Sequence, residues 1–579
     1  MQAPEAILKP PQAGTPRPRS SEGGSDLSAR GEPFLWGFGG ALSVGILMVF
    51  GFLLLVFWNG IATFYPKPVE VVTLRDGTVL AGEPIRNEVY RPGKEVLSSL
   101  DEGTNKAVLA KGALVGRTLY HTGNFDLYNE DYRWIPEFQV QAVSRPKDMF
   151  FIERVEWGPF IGRIHQVTFN KETLEGSALP VERLYDEQEK AAERRRRIRA
   201  IERGDIGEVN HYLEKERLAL RSIAMMDGEA STAYQEAKGR YDARMAQLNR
   251  TYQRLAGEAE TLKHEDELYN VVLKDVTGRE KTLRLSEIVR LYPANDLSLL
   301  QELGVYVSRW SEFLTEEPRE ANTEGGVMPA IFGTFAMTIL LAVAVAPFGV
   351  IAALYLREYA KQGTLVSIVR ISVNNLAGVP SIVYGVFGLG FFAYILGGSI
   401  DRLFFAERLP NPTFGTGGLL WSSLTLALLT VPVVIVATEE ALAAVPQSMR
   451  EGSLACGASK WQTIKNIVLP RATPGIMTGL ILAMARGAGE VAPLMLVGVV
   501  KLAPELPIDH FFPFVHLERS FMHLGFHIYD VGFQSRNSEA GKPMVFVTTL
   551  LLIALVGLMN ATAIYLRNRL RRKYHVGHF

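Results

Sequence analysis

The stretch Glu451-Gly452-Ser453-Leu454-Ala455-Cys456-Gly457, followed after nine residues by Ile467-Val468-Leu469-Pro470, decides how this chain is read. It reads as two short helices joined at Gly457, because glycine tolerates the positive φ of a tight left-handed helix end. Ser459 is placed to cap the second helix, with Gln462 three residues on to complete a capping box. Pro470 and Pro474 are expected to end that helix before the next apolar run. Trp461 and Ile464 fall on neighbouring faces and would present an apolar ridge to a partner. Cys456, among small residues, is expected to be a packed, inert thiol. The bland alternative is an ordinary helix–turn–helix connector.

What flanks this stretch makes it a loop between membrane spans. A bilayer core takes about 20 apolar helical residues, and six runs qualify: 33–66, 325–356, 371–400, 417–438, 472–500 and 543–566. The first is too long for the apolar core of a signal peptide, about 7–15 residues, and reads as a retained anchor. Short loops rich in lysine and arginine face the cytoplasm. Arg357, Lys361 and Arg370 follow the second run; Arg450, Lys460, Lys465 and Arg471 follow the fourth; Arg567, Arg569, Arg571, Arg572 and Lys573 follow the sixth. All lie on one side if both termini are cytoplasmic. The expected fold is therefore an all-α polytopic membrane protein of six transmembrane helices, carrying an inserted extracytoplasmic α+β domain with long helices. Its expected division is a disordered tail (1–32), an anchor (33–66), the exterior domain (67–324), a five-helix core (325–566) containing the loop 439–471, and a basic tail (567–579).

With 61 basic and 61 acidic side chains, net charge points to no nucleic-acid partner. One cysteine excludes an intrachain disulfide framework and a Cys-based zinc cluster. In the exterior region, 69–170 alternates like hairpin strands, with Asp76-Gly77 as one turn. The charged, Ala-rich segment 181–267 reads as a helical hairpin broken near Asp227-Gly228. Residues 269–273 and 281–285 flank Thr277-Gly278 as another hairpin. The run Arg194–Arg197 reads as a solvated helix face rather than a binding patch.

Only the fifth run carries ionisable groups, Arg486 and Glu490, four apart and so on one helical face. An arginine deep in a span costs about 2.5–3.5 kcal/mol and almost always faces the bundle interior. Its planar fork of donors matches a tetrahedral oxyanion. Glu490 would hold it and neutralise an empty site, so the pair can bind, gate or simply pack. Asn374 and Asn375, beside Pro380 in the third run, are oxyanion donors or interhelical packing groups. His523 and His527 have the i, i+4 spacing of a metal face, but no companion ligands lie nearby and Gly525 separates them; packing is the expected role.

The loop is similar to the coupling loop of ABC importer permeases, whose pattern is Glu-Ala-Ala, three residues, Gly, nine residues, Ile-x-Leu-Pro. Gly452 and Ser453 replace the alanines; both are small, and Gly452 weakens the first helix by about 1 kcal/mol. The resemblance implies that Glu451, Gly452, Ser453, Gly457, Trp461, Ile467, Leu469 and Pro470 dock on a separate ATPase. The chain itself contains no Gly-x4-Gly-Lys-Ser/Thr phosphate loop. Ala485-Arg486-Gly487-Ala488-Gly489-Glu490-Val491-Ala492-Pro493-Leu494 resembles the signature of the PstA-type phosphate permeases, with Val491 in place of threonine. Pro380-Ser381-Ile382-Val383-Tyr384-Gly385, and the stretch 521–530, are similar to that group as well.

Over 325–579 the resemblance implies an inner-membrane phosphate permease working by alternating access. Arg486, Glu490, Asn374 and Asn375 would line the substrate path. The implied partners are a homologous permease, two ATPase copies, an external phosphate-binding protein and membrane lipid, with no cofactor and no metal. Sulfate, molybdate and phosphonate stay open as substrates. Two other classes of function also stay open: a membrane-anchored sensor or scaffold working through the exterior helices, and an ATP-independent channel or secondary transporter. For the second, no inverted repeat is evident.

Overall fold

The protein is described from a computed structural model covering residues 32–575, apart from 94–95, 97–102, 104, 106–111, 171, 176–180, 504 and 536–537. The tail expected over 1–32 therefore lies outside the described residues except for Glu32, as do the last four residues of the basic tail. The chain divides into two units, Met1–Trp58 and Asn59–Phe579. In the first, the described residues belong to a single helix, α1 (Glu32–Ala62), with no charged residue after Glu32.

The second unit begins with antiparallel sheets. Strands β1 (Glu70–Leu74), β2 (Val79–Tyr90), β3 (Val115–His121), β4 (Tyr132–Pro136) and β5 (Val140–Ser144) form one, ordered β4-β3-β2-β1-β5. The β1–β2 turn falls at Asp76-Gly77, where Gly77 takes φ +84°. Strands β6 (Phe150–Arg154), β7 (Phe160–Phe169), β8 (Glu172–Glu175), β9 (Tyr269–Lys274), β10 (Glu280–Arg284) and β11 (Ile288–Pro293) form the other, ordered β10-β9-β7-β6-β11 with β8 on β7. Its inner face buries Ile152, Phe160, Val167, Phe169, Leu273 and Leu285.

Between β8 and β9 runs the helical arm: α2 (Val181–Arg199), a wider π-helical turn, α3 (Ile206–Asp227) and α4 (Thr232–Asp266). Gly228 at φ +81° ends α3, and Ser231 caps α4 by accepting from the Tyr234 amide. The expected hairpin and its break are both present. The arginine run is only in part a solvated face: Arg194 stacks over Tyr269 and lies 3.5 Å from the buried Asp266, while Arg195 donates to the Ser286 carbonyl. The arm's His211 stacks at 4.0 Å on Phe511.

After β11, α5 (Leu299–Thr315) and a short hairpin, β12 (Pro318–Arg319) with β13 (Glu324–Gly325), lead to the membrane helices. Glu153 pairs with Arg290 and Arg309, and Glu312 pairs with Arg290 and Arg319, all nearly buried. Removing one partner from such a network typically costs about 3–5 kcal/mol, because the remaining charge stays buried and unpaired.

Among the described residues six helices are long and apolar enough to span a bilayer. After α1 they are α6 (Met328–Tyr359), α8 (Ser381–Phe404), α9 (Leu419–Ala443), α11 (Lys460–Gly489) and the span Glu539–Arg572 within α14 (Ser538–His575). Shorter helices join them: α7 (Thr364–Leu376), α10 (Gln447–Ala455), α12 (Ala492–Val497) and α13 (Leu524–Tyr529). The shared core holds Met337, Leu341, Val345, Leu426, Leu429, Ala483 and Leu494. The protein is a multi-pass membrane protein with a mixed α/β region ahead of an all-helical core.

Two spans depart from their expected limits. The third, expected over 371–400, is two helices, since Pro380 excludes helical backbone from the preceding residue and opens α8 instead. The fifth, expected over 472–500, begins twelve residues earlier and ends at Gly489. Pro470 and Pro474 do not stop the helix before it. The turn Ile464–Val468 is π-helical, a wider turn with i→i+5 bonding, and the chain passes through both prolines without a break in the helix.

Candidate functional site

The elbow at 447–463 forms from local rules. α10 ends at Ala455, and Gly457 turns the chain at φ +82°. Ser459 then accepts from the Gln462 amide at 3.2 Å, while the Gln462 side chain accepts from the Ser459 amide at 2.8 Å. Ser453 on the first helix meets Thr463 on the second, hydroxyl to hydroxyl at 2.9 Å. The two helices are thus latched across the turn.

Much of the elbow faces outward. Glu451, Gly452, Gly457 and Lys460 are exposed, and Leu454 and Trp461 leave 50% and 54% of their surface open. A Cβ on Gly452 or Gly457 would meet nothing within 4 Å. Ile467, Leu469 and Pro470 are half-buried at the start of the long helix. Two expectations fail here. Ile464 is buried against the bundle rather than forming a ridge with Trp461, because Thr463, Ile464 and Val468 are the inward face of the π turn. Cys456 is exposed rather than packed, at the cap just past the last turn of α10.

A ring of charges fastens the elbow to the bundle. Arg450 donates to the Leu442 and Val445 carbonyls at 2.7 and 2.6 Å, at and just past the end of α9, and pairs with Glu358 at the end of α6 at 3.0 Å. Arg370 on α7 pairs with Glu439 at 3.2 Å, and Lys460 lies over the Tyr359 ring at 5.0 Å. In the sequence these residues register only as loop charge. The adjacency of Arg450 to Glu451 was the one available signal of its role.

The other end of α11 holds the charged pair. Arg486 lies in its last turn and Glu490 just past it, at φ −82°, ψ 127°, with the two side chains 3.5 Å apart. The pair therefore stands at a helix end, not midway along a span as expected. The chain stops at Gly489 and re-enters as α12, which packs on α8. There the Pro380–Gly385 stretch meets the Arg486–Leu494 stretch: a Cβ on Gly385 would lie 2.7 Å from Pro493 Cα, and one on Gly487 would lie 2.4 Å from Leu341 Cδ1. The first contact is with backbone and admits only glycine, whereas the second is with the tip of a leucine that can shift. Tyr384, buried beside them, donates to the Leu376 carbonyl at 2.7 Å, bridging the break before α8.

Asn374 and Asn375 sit exposed in the last turn of α7, and their side chains bond to nothing among the described residues. His523 and His527 are buried, and His523 caps α13 by accepting from the Gly525 amide at 3.1 Å. Burial pushes both imidazoles down to about 4, so they are neutral near pH 7. Among the described residues no three His, Cys, Asp or Glu side chains converge as metal ligands. Beside them, Asp530, fully buried, takes Lys501 at 3.2 Å and Asn322 at 2.9 Å.

Comparison with known proteins agrees with this layout. Residues 345–572 match the family model of the binding-protein-dependent transport system inner membrane component. The chain is 36% identical over 203 residues to the probable ABC transporter permease protein YqgH of Bacillus subtilis, covering 34% of this chain and 62% of that one. It is 29% identical over 264 residues to YqgI of the same organism, covering 44% and 84%. It is 38% identical over 206 residues to the phosphate transport system permease protein PstA of Mycobacterium leprae, covering 35% and 62%. The chain thus spans less than two thirds of the length of YqgH and of that PstA. The family match takes in the elbow, α11 and the helices around them, so over residues 345–572 the chain is similar to the inner membrane components of binding-protein-dependent transport systems.

Proposed function

We propose that the chain is the membrane-spanning permease of an ATP-driven importer and that its substrate is phosphate. The observation that carries this reading is the continuity of α11, whose first turn belongs to the exposed elbow and whose last turn carries Arg486. An ATPase docked on Glu451, Gly457 and Trp461 would push on one end of a rod and move a guanidinium at the other. With the elbow cytoplasmic, both termini are cytoplasmic and 67–324 lies outside, where a phosphate-binding protein would approach. A homologous permease would complete the pathway across the bilayer, and two ATPase copies would drive the pair.

Arg486 supplies the donor fork for an oxyanion, and Glu490 holds it when the path is empty. Asn374 and Asn375, unbonded on α7, are free to join the path when α7 and α11 approach. The support for phosphate over other oxyanions is the name of the PstA relative and the two motif stretches that meet at Gly385 and Pro493. Competition tests it directly. In vesicles holding the whole transporter, ATP-driven uptake of labelled phosphate should resist a hundredfold excess of sulfate, molybdate or phosphonate. Uptake abolished by one of these, with that anion itself transported, would reassign the substrate.

A further inference from the structure

The helix α5 is amphipathic in an inverted sense. Its charged residues point into the protein: Arg309 reaches Glu153 and the Tyr292 hydroxyl, Glu312 meets Arg290 and Arg319, and Glu302 accepts from Tyr65 at 2.5 Å. Leu300, Leu303, Gly304, Val307, Ser311 and Leu314 recur at three- and four-residue spacing, so they form one stripe along the opposite face. That stripe contains no charge, and Leu300, Leu303 and Val307 are 82%, 53% and 62% exposed. A water-facing helix would have the reverse arrangement.

The position of α5 says what covers the stripe. The Tyr306 hydroxyl donates to the Ile61 carbonyl at 3.1 Å, and Arg309 donates to the Phe64 carbonyl at 3.1 Å, both where the first apolar helix ends. Seven residues after Tyr306, the Phe313 carbonyl accepts from the Val327 amide at 2.8 Å, at the first residues of α6. At 1.5 Å per residue, these two attachments lie about 10 Å apart along α5. The helix therefore runs beside the ends of two spans, at the level where bilayer meets water. Tyr65, Tyr306 and Trp310 cluster around it, the residue types that gather at that level.

We infer that α5 is an interfacial helix whose Leu300–Leu303–Val307 face lies in the lipid headgroup and upper acyl region, so that the sheet domain rests on the membrane. The polar side that such helices normally give to water is here given to the domain's own ion-pair network. The domain and the bilayer surface would then be held in one fixed relation by a single helix, whatever substrate the core carries.

Spin labels at introduced cysteines test this. Cys456→Ser removes the lone native thiol, and Leu300→Cys, Leu303→Cys and Val307→Cys are made singly in the full chain, purified with its complex in lipid nanodiscs. Met226→Cys, on the exposed tip of the arm, is the aqueous reference. Labels at 300, 303 and 307 should collide with oxygen and be shielded from a water-soluble nickel chelate, with the opposite result at 226. Free access of the chelate to all three positions would overturn the inference. So would shielding from both reagents, which would mean that a second copy or a protein partner covers the face.

Discussion

The two ends of α11 differ in what surrounds them. At the Lys460 end the helix emerges from an elbow whose Trp461, Leu454 and Glu451 are open, and whose glycines have empty space beside them. At the Gly489 end the same helix meets the bundle, with Gly487 against the tip of Leu341, Gly385 of α8 against the Pro493 backbone, and Arg486 and Glu490 facing each other at the break. Between them lie 30 residues of helix, about 45 Å long. An open end tolerates change until something docks on it, whereas a closed end is sensitive in the isolated chain. On the proposed function, the difference separates a surface for a partner from a passage for a solute.

The largest expected effect falls at the closed end. Arg486→Ala removes a charged donor from the proposed path; such bonds are worth about 1.5–3 kcal/mol, so uptake should fall roughly 10- to 100-fold. ATPase co-purification should not change. Wild-type uptake in vesicles would break the comparison, because the closed end would then be packing alone.

Gly457→Val comes next. A side chain at φ +82° costs about 1–2 kcal/mol, so coupling should drop about tenfold. The deficit should appear as lost ATPase binding and lost uptake while the purified chain still folds, its melting temperature lowered by no more than a few degrees. A variant that binds the ATPase and transports normally would show that the elbow is only a connector.

The smallest effect lies away from α11 and sharpens the contrast by showing what a purely structural group does. Glu324 at β13 is pushed up to about 7, first by burial, with Arg319 and His121 opposing and Glu153 and Glu320 adding to the rise. It lines a cavity of about 610 Å³ shared with Glu83, Asp131 and Arg309. A folded value above the unfolded one of 4.5 means that the native chain binds more protons between those limits. Stability therefore falls as pH rises through that window. From pH 6 to pH 8 this group should remove about 1 kcal/mol, or about 2–4 °C of melting temperature. Glu324→Gln should flatten that share of the profile, as read by thermal unfolding; an unchanged slope would refute it.

The elbow was legible because its signals are local: Gly457, Ser459 and Gln462 dictate a turn and a cap whatever surrounds them. The β1–β2 turn, the arm and its break were legible for the same reason. The end of α11 was not. Hydropathy runs on through 472–500, while the helix stops at Gly489, and only the packing of α12 on α8 shows why. Ile464 and Cys456 were misplaced because burial within a polar loop depends on which helices pass beneath it. The stripe on α5 was invisible as such, since an apolar period marks a face without saying whether that face turns inward. Arg450 looked like one more loop charge until its two carbonyl acceptors and Glu358 were seen together.

That arginine has a mechanical consequence. A single guanidinium clamps the ends of α6 and α9 at the base of the elbow, so a displacement delivered there is not absorbed by bending one loop. Three membrane helices would tilt as a block, and the stroke reaching the far side would depend on the rigidity of that clamp more than on the compliance of any single helix.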